Sequence, residues 1–86
     1  MSELAALRNI GKEMENKLKS VGISTAEELK ALGSQEAFLR VKRRYPYVCL
    51  VHLYALEGAI TDIEYNQLPE DVKRELKQVE KASFVS

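Results

Sequence analysis

The apolar residues of this chain recur at helical spacing. Met14, Leu18 and Val21 stand at offsets of four and seven, with Glu13–Lys17 and Glu15–Lys19 spaced as outward i,i+4 ion pairs. The pattern predicts a helix over 12–21, ended by Gly22 in the left-handed conformation that closes many helices. A shorter helix is expected over 3–8, broken by Asn9-Ile10-Gly11. Thr25 followed three residues later by Glu28 is a capping box, opening a helix that buries Leu29 and Leu32 and stops at Gly33. Ser34 is then expected to cap a helix over 34–44, with Glu36 and Arg40 paired. Pro46 interrupts the chain, because the residue before a proline is pushed out of the α region. Leu68-Pro69 opens the last helix, whose stripe is Val72, Leu76 and Val79, and residues 82–86 are expected to fray.

The segment predicted as a helix over 47–60 differs from the others. Val48, Leu50, Val51, Leu53, Tyr54, Ala55 and Leu56 leave its first half without a polar face. In a small protein, a helix apolar nearly all round is the central one, with shorter helices around it. The expected fold is therefore all-α, five to six short helices packed around this central apolar helix. With 86 residues there is material for one domain, 1–86. Only four Gly and two Pro punctuate it, which favours helices over a β-sandwich or barrel.

Thirteen basic and thirteen acidic residues cancel. The chain as a whole thus lacks the electrostatic signature of a nucleic-acid or membrane binder. Locally the balance breaks: Arg40, Lys42, Arg43 and Arg44 crowd one stretch, whereas 57–71 holds five acids and no base. The single cysteine excludes an internal disulfide and a Cys-rich metal site. The opening MSELAALRNIG has neither a basic region nor a long apolar run, so a secretory signal is not expected there. The longest uncharged run, 45–56, falls short of the roughly 20 residues needed to span a bilayer. A cytoplasmic protein without membrane attachment is the expectation.

Candidate chemistry is sparse. Leu7-Arg8-Asn9-Ile10-Gly11, then Leu18, Val21-Gly22-Ile23-Ser24-Thr25 and Leu29, has the cadence of a helix–hairpin–helix. In such a unit the turn lets backbone N–H groups approach a phosphate, and here Asn9, Gly11 and Lys12 would do so. Glu13 and Glu15 oppose that reading and favour a structural turn plugged by Ile10. Arg40, Lys42, Arg43 and Arg44 could track a phosphate backbone, or merely complement a helix C-terminus. Tyr45 and Tyr47 beside them could stack on bases, though packing on the core is favoured. Cys49 and His52 form the one thiol–imidazole pair available, and their apolar surroundings predict a buried, inert thiol. No catalytic residue, metal ligand set or cofactor site is expected. Gly58, inside a helix, loses about 1 kcal/mol against Ala, so close packing on its Cα is expected to compensate, with Glu57 answering a neighbouring donor or cation.

Further along, Leu32-Gly33-Ser34, Ala37-Phe38, Leu53-Tyr54-Ala55-Leu56-Glu57-Gly58-Ala59-Ile60 and Leu68-Pro69 continue the pattern. From about residue 7 to 76 the chain resembles the C-terminal domain of the TfoX/Sxy competence-regulator family. That resemblance implies a helix–hairpin–helix-like N-terminal half and a bacterial, non-enzymatic role in transcription regulation and DNA transformation. Relatives often carry a further N-terminal domain, and the expectation here is the C-terminal domain standing alone. Zero net charge favours a protein partner over DNA. Weak sequence-independent nucleic-acid binding through the hairpin and the basic patch is the alternative.

Overall fold

The computed structural model describes residues 4 and 6–85, the side chains of 83–85 excepted. Its elements are α1 (Lys12–Ser20), α2 (Ala26–Leu32), α3 (Ser34–Arg44), α4 (Leu50–Thr61), a 3₁₀ turn (Tyr65–Gln67) and α5 (Glu70–Val85). No strand occurs among the described residues. The all-α expectation holds, with five α-helices.

Local signals set most boundaries. Gly22 adopts φ +88° after α1. There the Ile23 N–H donates to the Leu18 carbonyl at 2.9 Å and the Gly22 N–H to that of Lys19 at 3.1 Å. Two otherwise orphaned carbonyls are thus satisfied, as in a Schellman closure. The capping box of α2 is present in full: the Glu28 N–H donates to Thr25 Oγ1 at 3.1 Å, and Glu28 Oε1 accepts from the Thr25 N–H at 3.1 Å. Arg40 and Glu36 pair at 3.3 Å.

Five expectations need correction. Residues 6–9 form turns, not helix, with the Leu7 N–H bonded to the Leu4 carbonyl at 3.0 Å. Positions 3 and 5 of the predicted helix lie outside the described residues. Ser34 is the first residue of α3, not its cap, and its hydroxyl donates to Glu57 Oε1 on α4 at 2.6 Å. Glu15 does not lie outside but is 7% exposed, with Oε2 lacking a hydrogen-bond partner. The central helix begins at Leu50, three residues later than predicted, because a turn over 45–48 intervenes, closed by the Val48 N–H on the Tyr45 carbonyl at 3.1 Å. The helical backbone of α5 continues to Val85, past the predicted frayed end.

α4 packs against α3, α5 and the 3₁₀ turn. Leu53 and Leu56 are fully buried from it, against Phe38 and Val41 of α3, Leu76 of α5, and Leu18, Ile23 and Leu29 of the N-terminal half. The radius of gyration is 11.8 Å, close to the roughly 12 Å expected of a folded chain of this length. One continuous core therefore serves all five helices.

Gly58 is the tightest point. A Cβ there would strike the Ile63 carbonyl oxygen and Asn9 Nδ2. The expected compensation for a mid-helix glycine is thus present, supplied by a side chain and a backbone carbonyl in place of a neighbouring helix. Gly58→Ala should destabilise the fold by about 1–3 kcal/mol despite its better helix propensity, since a backbone carbonyl yields less readily than a flexible side chain. Urea unfolding of the two proteins measures this; a variant of equal or greater stability would contradict the geometry.

Candidate functional site

The hairpin residues are largely committed to the fold. Asn9 sits at φ 69°, a region its short polar side chain tolerates. Its Nδ2 donates to the Ile63 carbonyl at 3.0 Å, and its Oδ1 accepts from the Tyr65 N–H at 3.4 Å. Arg8 reaches the same loop, to Asp62 at 3.1 Å and Glu64 at 2.9 Å, and these carboxylates raise its pKa. Gly11 takes an ordinary extended conformation ahead of α1, and no side chain caps that helix. Gly11 and Lys12 are exposed.

The basic stretch divides in the same way. Lys42 Nζ donates to the Val48 carbonyl at 3.0 Å and the Pro46 carbonyl at 3.2 Å, bracing the turn into α4. Arg40 is held by Glu36. Arg43 and Arg44 remain exposed. The Arg44 guanidinium lies 5.7 Å from the Tyr45 ring centroid, and its Nε donates to the Tyr45 hydroxyl at 3.4 Å. Hydrogen bonds from Ser20 first, then Arg44, lower the pKa of that hydroxyl.

A lysine that the sequence pattern placed on the surface joins the two regions. Lys17 is 6% exposed. Its ammonium lies 5.6 Å from the Tyr45 ring centroid and 5.5 Å from that of Tyr47, with Glu13 Oε1 at 3.1 Å. Burial works against its charge, but hydrogen bonds to Glu13 and Tyr47 prevail and raise its pKa. The two rings meet edge-on, with centroids 6.0 Å apart. Tyr45 is half-buried, whereas Tyr47 is 66% exposed, against the expectation that both would pack on the core.

Between α1 and the start of α4 runs a groove of about 260 Å³, lined by Asn9, Gly11, Glu13, Met14, Lys17, Val51, His52 and Ala55. The structure therefore places Asn9 and Gly11 along one wall, while Lys17, through Tyr45, connects the groove to Arg44. Arg40 and Lys42 are occupied elsewhere. Sequence reasoning missed Met14, Lys17 and Val51 as site residues. The available signal was the lack of a polar face on α4, which leaves Val51 53% exposed once the chain has folded.

Cys49 is exposed, not buried, because α4 starts just after it. Its N–H donates to His52 Nδ1 at 3.0 Å, with Sγ 3.6 Å from the same nitrogen. A backbone N–H can only donate, so the Nδ1 lone pair is already in use at the helix start, which weakens its action as a base toward the thiol. No group of three or more His, Cys, Asp or Glu side chains able to hold a metal occurs among the described residues. No described helix is long and apolar enough to cross a membrane.

The described residues thus form an all-helical domain with a groove between α1 and α4. The TfoX C-terminal domain model matches residues 1–79, and the chain belongs to that family. A crystal structure of an uncharacterized protein from Listeria monocytogenes, in a triclinic form, is 47% identical, with a TM-score of 0.90 over 92% of this chain and 90% of that one. A tetragonal crystal form of a protein of unknown function from Listeria monocytogenes gives 47% identity and a TM-score of 0.89, over 92% of this chain and 96% of that one. No curated protein matches.

The exposure of Cys49 has a direct consequence. A maleimide reagent should label the native protein stoichiometrically without denaturant, as read by mass spectrometry. Labelling that requires denaturant would mean that the thiol lies inside.

Proposed function

We propose that this chain is a non-enzymatic interaction module related to bacterial regulators of DNA uptake and transformation competence, and that it acts in the cytoplasm through a protein partner. Family membership supports the regulatory part. One observation carries the choice of partner: three of the seven residues suited to phosphate contact are engaged by other groups of the protein, whereas apolar surface is left open. Asn9 is tied to Ile63, Arg40 to Glu36 and Lys42 to the Pro46 and Val48 carbonyls. Tyr47 and Val51 are 66% and 53% exposed beside the groove. A nucleic-acid surface needs the opposite allocation, with cations free to displace counterions and little exposed aliphatic surface.

Arg43, Arg44 and the Tyr47 ring favour the second reading, weak binding to nucleic acid by charge and stacking. Titration of labelled duplex and single-stranded DNA at about 50 mM salt separates the two. The expected affinity is weaker than the roughly 10⁻⁴ M limit of non-specific binders, with no change on joint Arg43→Glu and Arg44→Glu replacement. Tighter binding that disappears in the double variant would replace the protein-partner reading with the nucleic-acid one.

A further inference from the structure

We draw no further inference here: the strongest candidate, the groove between α1 and the start of α4 with the exposed Val51 in its lining, is an unpartnered apolar face, and nothing in the structure shows what covers it.

Discussion

The fold turns on one contact, the Asn9 amide lying across the bare Cα of Gly58 and donating to the Ile63 carbonyl at 3.0 Å. Three separate pieces of chain meet there: the entry to α1, the middle of α4 and the loop before the 3₁₀ turn. Each side needs a special residue. Asn9 must adopt a positive φ while keeping a side chain that can donate, and position 58 must carry no side chain at all. Asp62 takes φ 60° to bring Ile63 back, and the Ile63 N–H closes on the Gly58 carbonyl at 2.9 Å. The Arg8 pairs with Asp62 and Glu64 reinforce this meeting, but they are solvent-exposed and contribute little by comparison.

Much of the architecture could be read from the chain because its signals act within one or two turns. Thr25 and Glu28, Gly22 after α1, and Pro46 before the central helix each satisfy or remove specific backbone hydrogen bonds, so their effects survive without knowledge of the partners. The misreadings share a different origin. Residues 3–8 have helical propensity, but where described, 6–9 turn, because Arg8 and Asn9 answer residues more than fifty positions away. Ser34 has the right chemistry to cap its own helix and is instead drawn to Glu57 across the α3–α4 interface. Long-range contacts override local preference where a polar side chain finds a better-placed partner.

The candidate site was legible as a list of charges and opaque as a surface. Arg40, Lys42, Arg43 and Arg44 look alike in sequence, yet two are spent on Glu36 and on backbone carbonyls and two remain exposed. Lys17 shows the converse. Its i,i+4 spacing from Glu13 predicts a solvated cation, but the Tyr45–Tyr47 turn folds back over α1 and encloses it. Cys49 escaped burial for a related reason: the chain remains in a turn until Val48, so the thiol falls at the first, open end of α4.

Position 9 thereby joins stability to the open surface. Because Asn9 covers α4 only around Gly58, the loop it anchors sets where the groove ends and how far α1 stands from Val51. The turn braced by Lys42 does the same at the other end, fixing where Tyr47 emerges and where α4 begins. The aliphatic floor is therefore framed by two rigid closures, each held by hydrogen bonds to backbone carbonyls. A surface held open in this way offers a partner a preformed cleft, so binding need not bear the entropy of ordering it. Had the same exposed residues lain on a loose segment, the apolar ones would have folded onto the core.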